Sequence, residues 1–298
     1  MNNQTMQHRT TASWGHVLLA SVFFLFAASV PAFGQGSSAN SSQLKQNLKA
    51  AYAEGAKLAN QGNFEQAVPK FEQALEIARQ LDLGAGIQNK IQGYLVTSLK
   101  NVGNSAIQAK NYAKALGAFK QGASYETQDA YMHYGKGLAL VNMDSTQAAM
   151  QALSKAVEVG EQTGNQRVAG LALDRIRGEF VARASKALSA ANPTIANADT
   201  ALAALDAMRT YADPNAQAYF YRATAYYVKG QYQEAIAAAN QGLELHQGSR
   251  SDAAKYHFVI GESQLKLGKK EPACQQFEQA AVGDYRARAQ HYLENTCK

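Results

Sequence analysis

AQAYFYRATAYYVKGQYQEAIAAANQGLEL, residues 216–245, carries two apolar patterns that break at Lys229-Gly230. In the second half, small residues stand at Ala235, Ala239 and Gly242. Steps of four and three place them on one face of a helix. In the first half, Ala223 stands seven residues before the turn position, Gly230. The segment therefore reads as helix, short turn, helix. Small residues on one face let the neighbouring helix approach closely.

Working outward, the same pattern recurs in GNFEQAVPKFEQALEI (62–77), KNYAKALGAFKQGASY (110–125), DSTQAAMQALSKAVEV (144–159) and GKKEPACQQFEQAAVG (268–283). The second helices repeat a small residue at Ala67, Ala115, Ala149 and Ala273. A residue that is bulky in most copies follows four positions later, at Phe71, Phe119, Leu153 and Phe277, with Ala239 as the exception. The first helices repeat a small residue at Gly55, Gly103, Gly137 and Gly261, seven before each turn position. TALAALDAM (200–208) supplies a sixth, degenerate copy with Ala201 at the matching offset, closed by Asp213-Pro214. Two longer steps begin alike, at 74–95 and 156–180, and are expected to be lengthened hairpins. Pro69 stands more than one turn into its helix, where it removes a hydrogen bond.

This unit resembles the tetratricopeptide repeat, a helical hairpin of about 34 residues that stacks into a solenoid. The resemblance covers about residues 42–283. It implies an all-α fold, a right-handed α-solenoid of about six hairpins over 43–283. A solenoid needs a cap with a polar outer side, and residues 284–298 are expected to form that capping helix.

Composition agrees. The 298 residues are 46% hydrophobic and 17% charged, which argues against a disordered chain. Five prolines and Ala-rich stretches favour helix over a β-sandwich with Gly/Pro-rich turns. The net charge of +6 is interspersed and forms no basic stripe, so nucleic acid is not an expected partner.

Residues 1–34 read as an address. Arg9 is the only formal charge, the apolar run Val17–Val30 follows, and small residues stand at Ala32 and Gly34. This order predicts a signal peptide cut between Gly34 and Gln35. The run is shorter than the ~20 residues of a full membrane span, although an uncleaved anchor is the alternative reading. The polar stretch 35–42 is expected to be a flexible tether. The expected location is exported, periplasmic or extracellular.

Chemistry is sparse. His133 and His257 occupy equivalent repeat positions, which points to packing. There is no HExxH arrangement, no phosphate loop and no GxSxG elbow. No catalytic residue, metal or cofactor is expected, and the chain does not read as an enzyme. Two cysteines cannot make a four-thiolate zinc site. Cys274 and Cys297 lie on consecutive helices joined near Gly283. They come to the same end of that pair, so in an oxidising compartment they are expected to form a disulfide that staples the cap. Two free thiols are the alternative.

The family resemblance also implies a ligand groove lined by the first helix of each hairpin. Its fifth position holds Tyr52, Lys100, Tyr134, Phe220 and Phe258; the second adds Tyr131 and the twelfth adds Tyr227. Aromatic side chains give large contact area at low entropic cost. They are expected to grip a protein or peptide segment; the alternative is that they pack between adjacent hairpins. The expected function is a non-catalytic exported adaptor or scaffold. The alternative is a subunit of an envelope or membrane-associated assembly complex, which would make the partner a peripheral membrane complex.

Overall fold

The computed structural model describes residues 36–298. Among them are thirteen α-helices, one 3-10 turn and no strand. The helices are α1 (Gly36–Asn60), α2 (Phe64–Gln80), α3 (Ala85–Gln108), α4 (Tyr112–Tyr125), α5 (Ala130–Asn142), α6 (Thr146–Gln162) and α7 (Gln166–Ala187). They continue with α8 (Ile195–Met208), α9 (Ala216–Val228), α10 (Tyr232–Glu244), α11 (Arg250–Lys266), α12 (Lys270–Ala280) and α13 (Arg286–Asn295). The 3-10 turn Gly283–Tyr285 precedes α13. Residues 44–298 form one compact unit. The expected signal peptide, 1–34, with its cut at Gly34/Gln35, lies outside the described residues.

The tether reading is corrected from Gly36 onward, because 36–42 begins α1. The stretch contains no proline, and extending a helix already formed adds one hydrogen bond per residue fixed.

The five turn positions read from the repeats all leave the right-handed helical region. Gly62, Gly230 and Gly268 have φ of 79°, 74° and 74°, and Lys110 and Asp144 have 56° and 54°. A residue in this left-handed conformation ends a helix and lets the chain reverse into the next one. The longer repeats come from long first helices, 24 residues in α3 and 22 in α7. Helix α2 runs unbroken through Pro69. The degenerate copy is α8, closed at its start by a reciprocal capping box between Thr194 and Asn197.

The repeated small and large residues form one kind of joint. Ala67, Ala115, Ala149, Ala201, Ala235 and Ala273 are all fully buried, as are Phe71, Phe119, Leu153 and Phe277. Each bulky residue fills the space left by the small residue of the preceding helix. A Cβ at Gly55 would meet Phe71 Cε1 at 3.0 Å, at Gly103 Phe119 Cζ at 2.6 Å, at Gly137 Leu153 Cδ2 at 2.6 Å and at Gly261 Phe277 Cε1 at 2.9 Å. In the fifth hairpin the pair is Ala223 and Ala239, larger than glycine on the first helix and smaller than Phe or Leu on the second, and both are buried in one cluster.

Helices pack mainly against their neighbours in sequence. The further contacts join α3 to α5, α5 to α7, α7 to α9 and α9 to α11. First helices of successive hairpins therefore line one continuous surface. At the end of the chain α13 packs on α12, with Tyr292 stacked on Phe277 at 4.4 Å. Cys274 and Cys297 are joined, with Cα atoms 5.7 Å apart, so the disulfide ties the end of the cap to α12.

Candidate partner-binding site

The seven residues expected in the groove fall into three places on the first-helix surface. At the N-terminal end, Tyr52 is half-buried and meets Phe71 and Tyr94 edge-on, with centroids 6.1 and 5.7 Å away. Tyr94 was not singled out from the sequence, yet it is 41% exposed and stacks on Phe71. Its place on a lengthened helix puts it outside the repeat numbering.

In the middle, Lys100, Tyr131 and Tyr134 come together. Lys100 Nζ is 2.9 Å from Asp129 and 5.0 Å from the Tyr131 ring centre. The Tyr131 hydroxyl donates to Asn104 Oδ1 at 3.0 Å. Tyr134 lies 6.1 Å from Tyr131, and burial raises its pKa. These partners hold the cluster in place. Lys100 already has its counter-ion, so its charge is engaged within the chain.

At the C-terminal end, α9, α11, the 3-10 turn and α13 enclose a groove of about 630 Å³. Phe220, Tyr227, Tyr232, Phe258 and Tyr285 line it, with Glu262 and Arg288 among them. The connector before α8 closes one side with Asn192 and Pro193. Three expected residues, Phe220, Tyr227 and Phe258, thus converge here.

Phe258 requires a correction. It is only 1% exposed, packed against Phe277, Tyr285 and Tyr292, with the Arg288 guanidinium 4.1 Å above its ring. It forms the floor beneath the groove and offers no open face while Arg288 sits there. The capping helix supplies this cover, and no repeat position shows it.

Burial dominates the electrostatics of the groove. It pushes the Tyr227 hydroxyl up to about 12, helped by the nearby Glu262 carboxylate. It also raises the Glu262 carboxyl, against the hydrogen bond donated by Tyr292 Oη at 3.1 Å and the attraction of Arg288. Arg288 Nη2 is 3.9 Å from Glu262, a loose pair with the Arg288 side chain 58% exposed. Lys255 lies 5.2 Å from the ring centres of both Phe220 and Tyr256, and burial lowers its pKa. The groove thus combines flat aromatic walls with one cation, Arg288, held over a ring, while Lys255 lies over Phe220 outside the lining.

Tyr232, Tyr285 and Arg288 escape a first-helix numbering because they come from a second helix and from the cap. A cleft of similar size, about 640 Å³, lies between the α1–α2 and α3–α4 turns. Its charges are matched internally, with Lys114 Nζ 2.6 Å from Glu65. The histidines are likewise tied into local hydrogen bonds: His133 with Thr127 O at 3.1 Å and His257 with Gln276 Oε1 at 2.8 Å. Among the described residues no group of three or more acidic, His or Cys side chains is placed to hold a metal.

Residues 216–249 and residues 103–165 each match a model of the tetratricopeptide repeat. These two stretches are tetratricopeptide repeats. A search of curated proteins finds no match. Among solved structures, the chain is similar to a tetratricopeptide repeat protein from Parabacteroides merdae, at 14% identity over 85% of this chain and 100% of that one, with a TM-score of 0.32. It is similar to YrrB, described as a tetratricopeptide-repeat protein with an unusual peptide-binding site, at 17% identity over 66% and 91% of the two chains, with a TM-score of 0.34. It is also similar to MamA from Desulfovibrio magneticus, at 18% identity over 68% and 97%, with a TM-score of 0.33.

Proposed function

We propose that this chain is a non-catalytic, exported adaptor that binds a segment of another protein along its first-helix surface, anchored in the C-terminal groove. The observation that carries the reading is the convergence of Phe220, Tyr227, Tyr232 and Tyr285 around one cavity of about 630 Å³. Aromatic side chains arranged this way supply large, rigid contact area, and such residues dominate protein interfaces. The repeat family supports a protein-interaction role. Export rests on the order of charge, apolar run and small residues in 1–34, and the Cys274–Cys297 pair suits an oxidising compartment.

A photo-crosslinking amino acid placed at Tyr227 tests the reading, with exposed Ala237 of α10 as the control position. Illumination in the source cells is expected to give a discrete protein adduct from Tyr227 and none from Ala237. Equal adducts from both positions, or none from Tyr227, would refute the groove as the binding site.

A further inference from the structure

At the opposite end of the same surface, α1 and α3 enclose a second groove of about 320 Å³. Leu48, Tyr52, Ile87 and Ile91 form its apolar part, and Ile87 is 49% exposed. Lys45, Lys49 and Lys90 stand around it, and all three are exposed. None of them makes an ion pair among the described residues. The other lysine of α1, Lys57, lies further along the helix, and Lys70 of α2 is already paired with Glu54.

The sequence explains why no counter-ion is at hand. The first acidic residue of the chain is Glu54, and α3 contains no Asp or Glu at all. Lys45 and Lys49 are four residues apart on one helix, a spacing at which like charges repel. Three cations gathered beside an exposed isoleucine are unfavourable for the isolated chain. No ion pair within the described residues matches their charge, and Asp82 before α3 makes none with them. Nothing in 1–53 can supply a counter-ion, because that stretch has no carboxylate.

We infer that the α1–α3 groove docks an acidic, apolar-anchored segment of a partner protein: an apolar side chain seats against Leu48, Tyr52 and Ile87, and flanking carboxylates pair with Lys45, Lys49 and Lys90. The groove differs in chemistry from the C-terminal one, where Glu262 and Arg288 face each other at 3.9 Å; the inference rests on the first-helix surface of the proposed function and assigns the chemistry of its α1 end. A segment reaching both would lie along the first-helix surface with its acidic part toward α1.

The test uses the full chain and a fluorescent peptide of about twelve residues, long enough to cross two helices, with a central Leu-Phe pair flanked by glutamates. Controls carry Gln for every Glu, or Ser for the Leu-Phe pair. Binding by anisotropy is expected for the acidic peptide, to weaken with salt, and to fall about tenfold or more for either control. The variant Lys45→Glu/Lys49→Glu/Lys90→Glu is expected to lose at least about tenfold in affinity, because three attractions become three repulsions. Ile87→Ser is expected to weaken binding while leaving the salt dependence in place. All four positions are exposed, and circular dichroism checks that the helices persist. Equal binding of the Gln peptide, unchanged binding by the triple-lysine variant, or no binding of the acidic peptide overturns the inference. Binding of anionic phospholipid vesicles without binding of the peptide overturns it in favour of a membrane surface.

Discussion

Gly103→Ala and Gly117→Ala make the same chemical change and are expected to move stability in opposite directions. Both glycines lie inside helices, α3 and α4, where glycine costs roughly 0.5–1 kcal/mol relative to alanine. A Cβ at Gly117 meets nothing within 4 Å. Gly117→Ala therefore keeps the whole helix gain and is expected to stabilise by about 0.5–1 kcal/mol. At Gly103 a Cβ would fall 2.6 Å from Phe119 Cζ and 2.7 Å from its Cε1. The ring has no room to retreat, because Gly135 closes on it from α5, where a Cβ would lie 2.6 Å from Phe119 Cδ1. Overpacking of this kind costs about 1–3 kcal/mol, and a ring held between two helices belongs toward the upper part of that range. Subtracting the helix gain leaves a net loss of about 1–2 kcal/mol for Gly103→Ala. At ~2–4 °C per kcal/mol for a chain of this size, the two variants should differ visibly in thermal midpoint. Urea unfolding followed by the helical circular dichroism signal gives the free energies. A Gly103→Ala protein as stable as the parent would refute the claim that glycine there is required by close helix approach.

Lys110 holds a left-handed turn with φ of 56°, so Lys110→Gly is expected to raise stability by about 1 kcal/mol in the same urea assay. Reducing the Cys274–Cys297 bond, which spans a sequence separation of 23, is expected to cost about 3 kcal/mol in the chain-entropy model, read as a lower urea midpoint with reductant. For Glu262, burial raises the folded-state pKa above its usual value. As pH rises from the unfolded pKa of ~4.3 through the folded one, the unfolded chain releases its proton first, so this group lowers stability over that window and has no effect below it. Glu262→Gln keeps an acceptor for Tyr292 and does not ionise. Its stability relative to the parent is expected to rise as pH increases above the unfolded pKa of ~4.3, and a constant difference would show that the carboxylate is not held in a low-dielectric site.

The repeating joint is legible in the residues alone. Gly103 and Phe119, or Gly261 and Phe277, stand sixteen positions apart in every good copy, and each pair meets in the fold. Local helical contacts carry this information, because in a solenoid each unit touches mainly the next. The Cys274–Cys297 pairing was readable for the same reason: two consecutive helices joined by a short turn leave few ways to pack. The tether was misread because polar Ser/Asn composition, without proline, does not stop a helix that begins further on.

The groove was less legible. Its first-helix residues were identified, but whether a ring faces solvent or core depends on what covers it. Phe258 and Phe220 hold equivalent repeat positions, yet Arg288 and the rings of the cap bury one, while the other stays half-buried on the groove wall. Tyr232, Tyr285 and Arg288 enter from different elements, and no period in the chain relates them. Repetition along the sequence encodes contacts between neighbours, and so it specified the helices, their turns and the small-to-large joints. The exposure of each aromatic ring and the counter-ion of each lysine follow from where helices far apart in the chain come to lie, and that was settled only when the hairpins stacked.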